Sequence, residues 1–187
     1  MRITGGILSG RQVKIPEGII RPAMDRMRES VFAALGDLSG LSFLDIFSGS
    51  GIIALEAASR GAVYIDAVEM DPLKRKILLE NVKISPVRIN CRFMSAELYV
   101  RRAKKAFDII FCDPPFPYKY KQTLIKEIAL SPLVSSGSRL LLHRPKEELT
   151  RIAAESQREN SVENCSNNLY LENSRIYGRS VVDFYRF

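Results

Sequence analysis

Leu44-Asp45-Ile46-Phe47-Ser48-Gly49-Ser50-Gly51 is the stretch whose reading decides the fold. It reads as a buried strand that ends in a tight glycine loop, and a helical run from Ile52 to Arg60 follows at once. Strand, glycine loop and helix in that order hold a ligand at the carboxyl end of the strand, where glycine lets the backbone come close. A second stretch answers it. Phe107-Asp108-Ile109-Ile110-Phe111-Cys112-Asp113-Pro114-Pro115-Phe116 is another buried strand, broken off in Asp-Pro-Pro-Phe. The first loop has the character of a cofactor site, the second that of a site for a flat, nitrogen-bearing substrate.

Outward from these two stretches the pattern repeats. Strands are expected over residues 43–47, 63–69, 87–93, 109–112 and 138–143. Helices are expected over 52–60, 72–82, 95–103, 120–130 and 145–154, with Pro72 suited to a first helical turn. Near-continuous apolar strands alternating with helices mean a mainly parallel sheet covered on both faces. Residues 155–168, rich in Ser, Asn and Glu, read as a loop; 169–173 and 180–187 read as a terminal hairpin added antiparallel to the sheet. Upstream, Gly5, Gly6 and Gly10 predict short β pieces and turns. Arg21-Pro22 predicts a turn or an extended step, and a helix is expected from about Met24 to Leu35. The class is therefore α/β, with residues 1–40 as a small N-terminal β/α extension and 41–187 as the main domain.

The chain has 187 residues, and its net charge of +7 suits a polyanionic partner such as nucleic acid. Cys91, Cys112 and Cys165 form no Cys-x-x-Cys pair, so neither a disulfide framework nor a zinc site is expected, and no metal of any kind. That cysteine usage points to a reducing cytoplasm; no signal-peptide core opens the chain and no apolar run approaches a membrane span, so no membrane contact is expected. A monomer is the expected state. The single histidine, His143, closes an apolar run and reads as a strand-end residue rather than a ligand or base.

Gly49-x-Gly51-x-x-Ala54, with Glu69 eighteen residues beyond Gly51, fits the loose dinucleotide fingerprint, so a nicotinamide-dependent oxidoreductase is one reading. Asp45 argues for another. A carboxylate ahead of the glycines is unhelpful beside a pyrophosphate and welcome beside a cation. S-adenosylmethionine carries a sulfonium and an ammonium and no phosphate. Glu69 would then take both ribose hydroxyls and Met70 would lie against the adenine.

Asp113-Pro114-Pro115-Phe116 is the more specific motif. Two prolines fix the backbone and remove N–H donors there. The Asp113 carboxylate and the Pro114 carbonyl can then both accept from one exocyclic NH₂, aiming its lone pair at a methyl donor. Orientation of that kind is worth up to roughly 7–11 kcal/mol in well-placed systems. Phe116 offers a stacking face worth roughly 1–3 kcal/mol to a base that has left its stack. An adenine N6 would serve such a site as well as a guanine N2.

Asp45-x-Phe47-x-Gly49-Ser50-Gly51, Glu69-Met70-Asp71 and Asp113-Pro114-Pro115-Phe116, in this order, resemble an S-adenosylmethionine-dependent methyltransferase of exocyclic amines. Arg2-Ile3-x-Gly5-Gly6, Gly10-Arg11, Arg21-Pro22, Asp25-Arg26-x-Arg28-Glu29-x-x-Phe32 and Tyr177-Gly178-Arg179 are similar to the RsmD family, bacterial methyltransferases of a guanine N2 in 16S ribosomal RNA. The resemblance covers almost the whole chain and is weakest from about 144 to 168. It implies a Rossmann-like S-adenosylmethionine methyltransferase fold. It also implies a substrate, 16S rRNA within the small ribosomal subunit or a late precursor. Ala23-Met24, Ala33 and His143-Arg144-Pro145 depart from the family pattern. So does Ser95, standing where a longer side chain commonly meets the adenine; the Ala96 N–H is expected to serve there. Arg11, Arg21, Arg26, Arg28, Tyr118 and Lys119 are the candidates for RNA contact, with a solvated face paired to Asp25 and Glu29 as the plainer reading of the helix arginines. N6-adenine methylation of DNA or RNA, and a non-enzymatic RNA-binding module, remain open alternatives.

Overall fold

The structure, a computed structural model, describes residues 1–15, 23–147 and 169–187. Helix α1 (Ala23–Leu35) precedes a run of strands and helices: β1 (Ser42–Ile46), α2 (Ile52–Ser59), β2 (Tyr64–Val68), α3 (Pro72–Asn81), β3 (Ile89–Arg92), α4 (Ala96–Arg101), β4 (Ile109–Cys112), α5 (Lys121–Ala129), β5 (Arg139–Pro145), β6 (Tyr170–Tyr177) and β7 (Ser180–Arg186). The sheet order is β3-β2-β1-β4-β5-β7-β6. Strands β1 to β5 pair in parallel, and β7 pairs antiparallel with both β5 and β6. β7 alone therefore runs against the others. From β1 the chain winds outward through β2 and β3, then returns to start β4 on the other side. The crevice at that reversal lies beyond the carboxyl ends of β1 and β4, where open α/β sheets take their ligands.

Period-2 alternation along the strands divides the core between the two faces. Phe43, Ile65, Phe111 and Leu141 pack with α1 and α2 on one face. Leu44, Ile46, Ile110 and Leu142 pack with α4 and α5 on the other. Helix α2 is buried on every side, which its apolar composition dictates.

The N-terminal segment is stitched to α2. Arg2 bridges Gln12, and the turn between them lies on the carboxyl end of the helix. The Ile7 N–H donates to the Ser59 carbonyl at 2.9 Å, and Ser59 Oγ donates to the Gly5 carbonyl at 2.6 Å. Gly6, at φ 73°, has no room for a side chain, since a Cβ would stand 1.9 Å from the Ser59 oxygen. Ile3, Leu8 and Val13 share one apolar cluster with α1, α2 and the sheet.

The other expected strands and helices within the described residues are present, with ends that differ by one or two residues, except that β6 runs four residues beyond the expected end at 173, to Tyr177, where it stays paired with Ser180 of β7. One expectation fails at its start. A helix from residue 145 is not formed there, because β5 continues to Pro145, its pairing with β7 running on through Arg144↔Val181 and Pro145↔Ser180. The remainder of that expected helix, from 148, lies outside the described residues, as do the loop over 155–168, Arg21 and Cys165.

Candidate active site

The reversal of strand order brings the two sequence stretches together. Ile46 of β1 lies opposite Cys112 of β4, so the residues that follow each strand emerge side by side, and the Asp113 N–H donates to the Ile46 carbonyl at 3.1 Å. Between them opens a cavity of about 800 Å³, lined by Asp45, Phe47, Gly49, Ser50, Glu69, Met70, Ser95, Ala96, Tyr118 and all four residues of Asp113-Pro114-Pro115-Phe116.

The β1 loop turns through Phe47, a non-glycine residue at φ 67°. That conformation is costly and persists where surrounding bonds over-determine it. The Ser48 N–H donates to the Val68 carbonyl and the Gly51 N–H to the Ser48 carbonyl, at 2.9 and 2.8 Å, and the Phe47 ring meets Tyr118 edge-on at 5.3 Å. Asn81 of α3 donates to the Ser50 carbonyl at 2.8 Å. Gly51 does not line the cavity. It caps α2 at φ 79°, and a Cβ there would stand 2.5 Å from Leu78 Cδ1 of α3.

Glu69 closes the loop from β2. Its two oxygens accept the N–H groups of Gly49 at 2.7 Å and Asp71 at 2.8 Å. The Gly49 N–H, which a dinucleotide loop would present to a pyrophosphate, thus faces a carboxylate instead. Asp45 adds a second acidic group. Its Oδ2 accepts from the Ala54 N–H at 3.2 Å, and its Oδ1 is buried with no hydrogen-bond partner. Burial, then the Asp113 charge, push its pKa up to about 8. An anion entering here meets two acids; a cation satisfies the orphaned oxygen. The donor set fits S-adenosylmethionine and disfavours NAD. Met70 is 65% exposed at the rim. Ser95 caps α4, its Oγ accepting from the Leu98 N–H at 3.2 Å, so the Ala96 N–H stands at the helix start without an intrahelical acceptor.

At the Asp113–Phe116 loop the Tyr118 N–H donates to the Pro115 carbonyl at 2.8 Å and Lys121 Nζ to the Phe116 carbonyl at 3.1 Å. Tyr118 lines the cavity, and its hydroxyl is committed to Glu97 Oε1 at 2.5 Å. Burial and the neighbouring Glu97 raise its pKa well above that of a free phenol. Arg11, Arg26 and Lys119 are exposed on the surface.

Arg28 is a correction. It is 0% exposed, its Nε donating to Glu56 at 3.3 Å and its Nη2 to the Arg2 carbonyl at 3.0 Å and to Asp25 at 2.6 Å. Its guanidinium lies at the inner wall of the cavity rather than on the outer surface, and its bonds tie α1 to α2 and to the N-terminal turn. His143 is a second. Its Nδ1 lies 2.7 Å from Asp113 Oδ1, and the residue lines the cavity. Lys74 and Glu97 also line it. No motif marks these three, since register and helix rotation place them. Among the described residues no group of His, Cys, Asp and Glu is placed to hold a metal ion, and no helix is long and apolar enough to cross a membrane.

A family model described as conserved hypothetical protein 95 matches residues 1–186. "Ribosomal RNA small subunit methyltransferase D" of Escherichia coli (strain K12) is 35% identical over 120 residues, a match that spans 62% of this chain and 60% of that protein. "Putative rRNA methyltransferase YlbH" of Bacillus subtilis (strain 168) is 31% identical over 193 residues, covering 100% of this chain and 98% of that protein. A solved structure described as "Putative methyltransferase yhhF from Escherichia coli" has a TM-score of 0.81 at 25% identity and covers 100% of this chain and 97% of its own.

Proposed function

The chain belongs to the RsmD-type methyltransferase family, and from that premise we propose that it moves a methyl group from S-adenosylmethionine to the exocyclic N2 of a guanine in 16S rRNA, within the small ribosomal subunit or a late precursor. The observation that carries this reading is the meeting of two chemistries in one cavity: an acidic loop suited to a cation, and on the adjacent strand an Asp-Pro-Pro-Phe turn suited to an amine.

Asp45, Glu69, Met70 and the Ala96 N–H hold the cofactor. When bound, S-adenosylmethionine supplies an electrophilic methyl group on a sulfonium. Asp113 and the Pro114 carbonyl accept the two N–H groups of the amine and turn its lone pair toward the cofactor loop. Phe116 carries the face of the flipped base. The nitrogen becomes acidic as it gains the methyl, so Asp113, 23% exposed on its side chain, can take the proton without being a strong base and pass it to water. Cys112 is buried behind the loop with its thiol pKa raised, and a direct transfer asks for no nucleophile from it.

The test is transfer from labelled S-adenosylmethionine to small ribosomal subunits from a strain lacking the protein, beside naked 16S RNA and DNA, with the labelled nucleoside identified by mass. Label on N2-methylguanosine, preferring the particle, is expected. Label on N6-methyladenine would keep the chemistry and replace the target. Asp113→Ala should abolish transfer while cofactor binding, followed by calorimetry, survives; loss of binding in that variant would overturn the division of roles.

A further inference from the structure

We propose that His143 is a positioning residue for Asp113: its Nδ1–H fixes one carboxylate oxygen so that the other faces the amine. The inference rests on the methyl-transfer reading above and concerns the same site.

The sheet puts the two residues together. Leu142 of β5 lies opposite Cys112 of β4, so the next residue of each strand, His143 and Asp113, are lateral neighbours. The imidazole is 3% exposed, its Nδ1 lies 2.7 Å from Asp113 Oδ1, and its Nε2 is buried with no hydrogen-bond partner. That combination selects the tautomer. A proton on Nε2 would leave a buried donor unsatisfied and would set two lone pairs against each other across 2.7 Å. With the proton on Nδ1, the ring donates to the carboxylate.

Asp113 needs such a donor because its own loop denies it one. An aspartate at a turn ordinarily accepts from the backbone N–H two residues on. Here the next two residues are Pro114 and Pro115, which have no N–H. The terminal torsion of an aspartate is soft, so without a partner the carboxylate would rotate among orientations. His143 supplies the anchor from the neighbouring strand. The imidazole engages Oδ1, which leaves Oδ2 for the amine. The imidazole also meets the Phe116 ring edge-on at 5.9 Å, so one side chain sets both the carboxylate and the stacking platform.

Asparagine and glutamine separate this role from mere bulk. An asparagine amide nitrogen falls where Nδ1 stands; that of glutamine falls near Nε2. In the subunit assay, H143Q should lose about 100-fold in kcat, the scale of a misplaced reacting group, while H143N stays within about tenfold of wild type. The Kd for S-adenosylmethionine should be unchanged in both, and their melting temperatures should agree. Equal kcat for H143N and H143Q would overturn the inference, as would a fall in kcat matched by a loss of cofactor affinity. If wild type transfers no methyl to guanine N2 or any other amine, the methyl-transfer reading itself fails, and this inference with it.

Discussion

A carboxylate buried beside a second carboxylate is unstable as an anion, and Asp45 occupies that position. Its pKa stands at about 8 in the folded protein against 3.8 for an ordinary aspartate, so between those values the folded state holds a proton the unfolded chain has released. Stability should therefore fall as the pH rises from about 4 to about 8 and level off above that. Asp45→Asn should melt higher than wild type without ligand, by a margin that widens from pH 5 to pH 8, and should bind S-adenosylmethionine more weakly. A margin independent of pH, read by scanning calorimetry, would contradict this account. A cation in the cavity reverses the field, so binding below pH 8 should release a proton. The role of Asp45 is legible in sequence as an acid ahead of glycines; its partnerless Oδ1 is not, because burial of one oxygen depends on packing. The same holds at Asp113. The Asp-Pro-Pro-Phe motif is plain in the chain, whereas His143 reads as a strand-end residue until the β4–β5 register sets it beside the carboxylate.

Between elements, the decisive contact is the charge cluster under the N-terminal turn. Glu56 of α2 accepts from the Thr4 N–H at 2.8 Å, from Arg28 and from Arg60, and the Arg60 guanidinium stacks on Phe32 of α1 at 4.7 Å. Three segments distant in sequence thus meet on one buried acid. The motif residues Asp25 and Arg28 serve this junction. Breaking a buried pair by removing one partner costs about 3–5 kcal/mol. Arg28→Met should therefore lower unfolding stability by about 3 kcal/mol, with Glu56→Gln in the same chain restoring part of it. Urea unfolding of the single and double variants gives the measurement, and a single variant as stable as wild type would refute the latch. Helical spacing in the sequence sets Arg26 and Arg28 on different faces of α1, but an arginine on a helix reads as solvent-facing by default. Only the crossing of α1 over α2 turns Arg28 inward.

For the molecule as a whole, the net charge of +7 becomes meaningful through what remains at the surface once Arg28 is withdrawn. Arg11, Arg26 and Lys119 are exposed and available to phosphates. If they make those contacts, affinity for 16S RNA should fall with salt, by about tenfold between 50 and 200 mM for every two phosphates neutralised. Arg11→Ala should reduce the salt slope by about 0.7–0.9, and Arg28→Met should leave it unchanged. A filter-binding titration across salt separates the two, and a flat response would remove the electrostatic argument for RNA. By itself the sequence determined the α/β class, the alternation of strands and helices, and the two loops that meet at the cavity. These depend on hydrophobic period, glycine and proline, which act within a few residues along the chain. Tertiary structure alone decided that Arg28 is a strut, that β5 runs on to Pro145 and that His143 meets Asp113. Each of those depends on which strand or helix lies alongside, and neighbours set by sheet order and packing are separated in the chain by thirty residues, as from Asp113 to His143, or nearly as many, as from Arg28 to Glu56.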